Sequence, residues 1–135
     1  MAENINPPSF VIDASFVLAY LFPDESNKSV DEKFIAHENG EVRFISIELL
    51  ALEVSNSLRV AVMRKRVSEK VARRLLTRMG DLDIKPCSVD LTKTFDLAMR
   101  KGLTVYDASY LWLALEKRLP LLTLDTQLRQ LKEAK

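Results

Sequence analysis

The chain has 135 residues and a mass of 15.4 kDa, enough for one domain with its own core. Hydrophobic residues make up 47% and charged residues 29%, with 3 Gly and 5 Pro, which excludes a disordered tail and collagen- or linker-like chains. The net charge of +1 hides an asymmetry: Arg59 to Arg78 carries eight basic residues against the single acid Glu69, a net of +7, which leaves −6 elsewhere.

Phe10-Val11-Ile12 reads as a short buried strand ending at Asp13. Ala14 to Phe22 reads as a helix stopped by Pro23. A second helix begins at Ser29, whose spacing to Glu32 fits a capping box, or near Ser26. It ends at Asn39-Gly40. Val42 to Ile45 is the second strand. A helix from about Ile47 to Lys65 follows, with no Gly or Pro to interrupt it, and Ser68 caps another that ends near Gly80. Ile84 to Val89 is a strand that Pro86 confines to an edge. Leu91 to Lys101 is helical, closed by Gly102, and Asp107 to Arg118 is the next helix. Leu121 to Leu124 is the fourth strand, and Thr126 to Ala134 the closing helix. Strands alternating with helices imply a parallel sheet of four to five strands with helices on both faces. The chain reads as one domain, residues 1–135, with its core over about 10–131.

Cys87 and His37 each stand alone. An internal disulfide, a multi-cysteine zinc site and a paired-histidine site are therefore excluded, and a reducing cytoplasm is the expected compartment. The longest uninterrupted apolar run, Phe16 to Phe22, is seven residues, too short for a membrane span, and no signal peptide is visible at Met1 to Asn6. Trp112, Leu111 and Leu115 are expected in the core or at a dimer surface. Phe16, Tyr20 and Leu21 are expected in packing, His37 on the surface near a helix end, and Cys87 as a small buried hydrophobe.

Four acids stand apart by position. Asp13 and Asp125 each end an apolar run, on the rim where a doubly wound sheet binds ligands. Asp107 begins a helix, and Glu53 lies in the apolar stretch Leu49 to Leu58. Taken singly, the aspartates also fit as helix-start acids and Glu53 as a solvent-facing one. Gathered in one cleft, four carboxylates repel, and a hard divalent cation relieves that repulsion. Mg2+ or Mn2+ is the expected guest, with phosphodiester hydrolysis as the chemistry. The basic segment suits a phosphate backbone, with Arg59, Arg73 and Arg74 as candidate RNA contacts; a solvated helix face accounts for the same charges.

At these residues the chain resembles a known family. Val11-Ile12-Asp13-Ala14-Ser15, Leu52-Glu53-Val54-Ser55-Asn56, Tyr106-Asp107-Ala108-Ser109-Tyr110 and Leu122-Thr123-Leu124-Asp125 resemble the PIN-domain family, most closely its VapC-type ribonuclease toxins. The resemblance implies a Mg2+- or Mn2+-dependent endoribonuclease acting on single-stranded or loop RNA. Asp13, Glu53, Asp107 and Asp125 would be its catalytic and metal-binding acids, with Ser15, Asn56 and Thr123 in support. It implies a homodimer and an inhibitory antitoxin protein as partners. Glu48 is a rival to Glu53, which fits better because Val54 and Asn56 follow it as in the family pattern. The alternative is a PIN-fold module that binds RNA or protein without a toxin role.

Other acid-based enzymes fit less well. A haloacid-dehalogenase-type phosphatase requires a second Asp where Ser15 stands. A receiver domain requires an acidic pair where Asp13 stands alone. No glycine-rich turn follows the first strand, as a dinucleotide-binding fold requires.

Overall fold

The structure, a computed structural model, describes residues 6–25 and 27–133. Ser26 and Ala134, named above as helix termini, lie outside them. In chain order the elements are β1 (Ser9–Ile12), α1 (Ala14–Leu21), α2 (Lys28–Glu38), β2 (Arg43–Ile47), α3 (Leu50–Met63) and α4 (Glu69–Gly80). They continue with β3 (Lys85–Cys87), α5 (Leu91–Lys101), α6 (Val105–Lys117), β4 (Leu121–Leu122) and α7 (Thr126–Glu133).

The strands form one parallel sheet in the order β3-β2-β1-β4. Every neighbouring pair is parallel, so each connection is a crossover, and right-handed crossovers fix which face each helix covers. The steps β1 to β2 to β3 run one way and put α1 to α4 on one face. The step from β3 back past β1 to β4 runs the other way and puts α5 and α6 on the opposite face, where α6 packs on β1 and β2.

The central strands are apolar because both faces are covered. Val11, Ile12, Phe44 and Ile47 are essentially solvent-free, each contributing about 1.5–3 kcal/mol by burial. Phe44 pairs in register with Phe10 and meets Phe34 edge-on at 4.9 Å, while Tyr20 stacks on Phe34 at 4.0 Å. A polar substitution at Phe34 would therefore open the seam between α1, α2 and the sheet. Cys87 is half-buried at the sheet edge rather than fully buried, and it forms no disulfide.

Several boundaries differ from expectation for physical reasons. Asn27, not Ser29, caps α2: its side chain accepts from the Val30 amide at 3.2 Å. The second strand runs on to Ile47, and α3 starts at Leu50. Helix α6 starts at Val105 because Thr104 caps it, accepting from the Asp107 amide at 3.0 Å. Asp107 is thus the third residue of that helix. Strand β3 occupies the edge, as Pro86 demands, but is shorter than expected. His37 is half-buried, with its ring nitrogens 3.3 Å from the Val42 carbonyl and 2.7 Å from the Leu82 carbonyl, and it stacks on Phe44. It ties the end of α2 to the loop after α4.

Candidate active site

The strand order reverses between β1 and β4, which opens a crevice at the carboxyl ends of those strands. Asp13 leaves β1 there and caps α1. Its Oδ1 accepts from the Ser15 hydroxyl at 2.6 Å and from the Phe16 amide at 3.1 Å. The Thr123 hydroxyl donates to its Oδ2. Both oxygens are therefore oriented, one by the β1–α1 turn and one by the end of β4. An ionised carboxylate accepts at about four lone-pair sites, so roughly one remains open.

This arrangement explains why β4 stops at Leu122. Thr123 and Leu124 turn out of the sheet toward Asp13. The Leu124 amide donates to Ser15 Oγ at 2.9 Å, and the Asp125 amide to Thr123 Oγ1 at 3.0 Å. Ser15 and Thr123 each spend their one hydroxyl proton on Asp13, so their 3.4 Å approach to each other is a contact rather than a further bond. Asp125 caps α7, accepting from the Leu128 amide at 2.9 Å. One level below, the Ser46 hydroxyl holds the Ile12 carbonyl at 2.6 Å and braces the strand end from which Asp13 projects.

Two more acids reach the same rim because helices in this fold run antiparallel to the strands. Helix α6 begins at the rim and carries Asp107 in its first turn; α3 also begins there and carries Glu53. Tyr110, 2% exposed, lies one turn beyond Asp107 and donates its phenol proton to Glu53 Oε1. Sequence reasoning gave Tyr110 no role. Its place in the Tyr106–Tyr110 segment is the only hint, and its partner is 57 residues away.

Asp13, Glu53 and Asp107 each respond to burial and to neighbouring negative charge. Burial raises the Asp13 carboxyl above the ordinary aspartate range, against the pull of Ser15, Thr123 and the Phe16 amide, and the charge of Asp125 adds to the rise. Burial raises Asp107, and the charges of Asp125 and Asp13 raise it further. Burial also raises Glu53; Tyr110 opposes this, and Asp107 and Asp13 reinforce it. Burial, then the bond to Glu53, keeps the Tyr110 phenol protonated. Negative charge is thus crowded onto one rim of the sheet.

A sequence model of the PIN domain matches residues 10–134. The chain belongs to the PIN-domain family. Over 124 residues, 89% of this chain and 92% of the relative, it is 32% identical to a protein named Ribonuclease VapC3 from Pyrobaculum aerophilum. A crystal structure of PAE2754, also from Pyrobaculum aerophilum, superposes with a TM-score of 0.71 at 27% identity, covering 90% of this chain and 82% of that one.

The donor set of this PIN domain is all oxygen and anionic, which suits a hard divalent cation. Among the described residues, no three candidate ligands stand close enough to enclose an ion as they are. Mg2+ does not require such a cage, since it commonly keeps several waters and takes one or two carboxylates. The donors therefore fit a partly hydrated ion.

Glu48 is exposed and lines a cavity with Met79, Asp83 and Pro86 that Asp13, Glu53, Asp107 and Asp125 do not line. Asn56 is exposed and lines the same groove as Glu53, one turn along α3. Arg59 is six residues from Glu53, about 9 Å along the helix and about 120° around it. With Arg73 it lines a second groove, between α3 and α4, that shares no residue with the groove beside Glu53. Arg73 is engaged by Glu69 at 2.7 Å, and Arg74 is exposed. Arg66 is held by Asp24 and Glu25 at 2.8 and 2.6 Å and lies over the Phe22 ring. Part of the basic segment is thus structural.

Proposed function

We propose that this PIN domain is a Mg2+- or Mn2+-dependent endoribonuclease that hydrolyses phosphodiester bonds in single-stranded or loop RNA. In this reading it is the cytoplasmic toxin of a toxin–antitoxin pair. The observation that carries the reading is Asp13: a buried carboxylate fixed on both oxygens at the switch point, within electrostatic reach of Glu53, Asp107 and Asp125. The 32% identity to Ribonuclease VapC3 supports the same chemistry.

In this mechanism Asp13, Glu53, Asp107 and Asp125 line the site that would hold a partly hydrated cation, one or two of them directly and the others through its waters. A cation held there would supply an acidified water and offset charge at phosphorus. Asp13 cannot swing away, because Ser15, Thr123 and the Phe16 amide hold it. Glu53 is aimed by Tyr110, and Asn56 stands beside it toward the substrate. Arg59, Arg73 and Arg74 attract the RNA backbone from the neighbouring face. A homodimer is supported by the exposed stripe Leu91, Phe95 and Met99, spaced four apart on α5. A cognate antitoxin would be the protein partner that covers the acidic rim.

Purified protein should cut single-stranded RNA with Mg2+ or Mn2+ and stop when a chelator is added. Asp13→Asn should slow cutting by more than about 100-fold, beyond the loss typical of residues that merely support a ligand, while the circular dichroism spectrum is retained. RNA binding without cleavage under every metal tested would instead establish a binding module.

A further inference from the structure

Beside the acids lies a groove of about 400 Å3, with Leu49, Leu52, Glu53, Asn56 and Tyr106 in its wall. Its volume is that of a small-molecule site. Two of its apolar residues are far more exposed than packing requires: Leu52 at 70% and Tyr106 at 60%. Tyr106 immediately precedes Asp107, and Glu53 belongs to both the groove and the acidic rim. Glu53 therefore joins the groove, with the Tyr106 ring in its wall, to the acidic rim.

We propose that this groove is a nucleobase subsite in which Tyr106 is the stacking platform and Asn56 faces the base edge. The inference rests on the ribonuclease reading and specifies how single strands are selected. The wall contains the Glu53 carboxylate and no Lys or Arg, so a phosphate is repelled from it while an uncharged base is not. A base needs an apolar face and a polar edge. Tyr106 and Leu52 supply the face. The Asn56 amide supplies both a donor and an acceptor, and among the described residues it makes no hydrogen bond of its own. A base inside a duplex already has both faces stacked and its edge paired, so only an unpaired base enters. A base held on Tyr106 lies in the groove that Glu53 shares with the acidic rim.

The test uses a single-stranded RNA carrying 2-aminopurine, bound to the whole protein in excess chelator, so that binding is read without cleavage. Wild-type protein should quench the 2-aminopurine, as stacking does. Tyr106→Ala should weaken binding by about 5- to 150-fold, the loss expected of one base–aromatic stack. Tyr106→Phe should stay within about twofold of wild type, because stacking uses the ring and not the hydroxyl. Tyr106 is exposed, so both variants should melt like the wild type. Wild-type affinity and quenching in Tyr106→Ala would overturn the subsite, as would equal losses in Tyr106→Phe and Tyr106→Ala. Either result with wild-type cleavage intact leaves the ribonuclease reading standing. A wild-type protein that neither binds nor cuts RNA with metal present overturns both.

Discussion

Asp13 shows how one side chain serves fold and site together. It caps α1 and closes the β1–β4 crevice, so its carboxylate is both structural and exposed to the charges of its neighbours. Asp107 is held more loosely: its amide donates to Thr104, and the pull of the Thr104 hydroxyl on its carboxyl is outweighed by burial and by the charges of Asp125 and Asp13. Its folded pKa is raised, so it favours the folded state below the ordinary aspartate value of 3.8 and loses that contribution as pH rises through the folded value. Asp107→Asn should therefore melt like wild type well below pH 3.8, where the carboxyl is protonated in both the folded and unfolded states, and higher than wild type at pH 7 without metal. Thermal melts across that range check this; a variant that melts lower at pH 7 would show that the carboxylate has a stabilising partner. Tyr110→Phe removes only the hydroxyl that donates to Glu53. It should cost about 1–2 kcal/mol of stability, because a half-buried carboxylate loses its donor, and slow cleavage by about 10- to 100-fold. Denaturant titration and single-turnover kinetics measure the two separately.

At the scale of elements, capping decides where the acids lie. Thr104 sets the start of α6, and that start places Asp107 in the first turn and Tyr110 one turn later, facing α3. Helix α5 carries a cost of its own. Thr94 is fully buried, and among the described residues its hydroxyl is the buried side-chain oxygen without a partner. Thr94→Val keeps the shape and removes the unsatisfied group. It should stabilise the protein by about 1 kcal/mol, seen as a melting temperature a few degrees higher. An unchanged or lower value would mean that a water satisfies the hydroxyl.

Over the whole molecule, charge is divided between an acidic rim and a basic face on α3 and α4. The division keeps the acids close together without repelling an approaching polyanion from every side. If Arg59 and Arg74 each meet a phosphate, replacing both with Gln should lower the slope of log affinity against log salt by about 1.4 for single-stranded RNA. An unchanged slope, read by fluorescence anisotropy over a salt series, would assign these arginines to another partner or to plain solvation.

Composition, strand order in the chain and the rim acids are written locally. A run such as Phe10 to Ile12 makes its own strand, and the acid that ends it must lie at that strand's carboxyl end. Pro23, Asn39-Gly40 and Gly102 stop helices through their own backbone chemistry, and Pro86 keeps β3 at the edge by lacking an amide proton. Those features the sequence determines by itself. The tertiary structure alone decided which groups meet. Thr123 reaches Asp13 across 110 residues, Tyr110 reaches Glu53 across 57, and His37 lies beside the Leu82 carbonyl across 45. The length of β4 belongs with these, since Thr123 leaves the sheet to serve Asp13. So does the separation of Arg59 from the acids, because six residues of helix turn a side chain onto another face. Local patterns encode backbone preference and burial. The partner of a polar group depends on how the crossovers bring distant segments side by side.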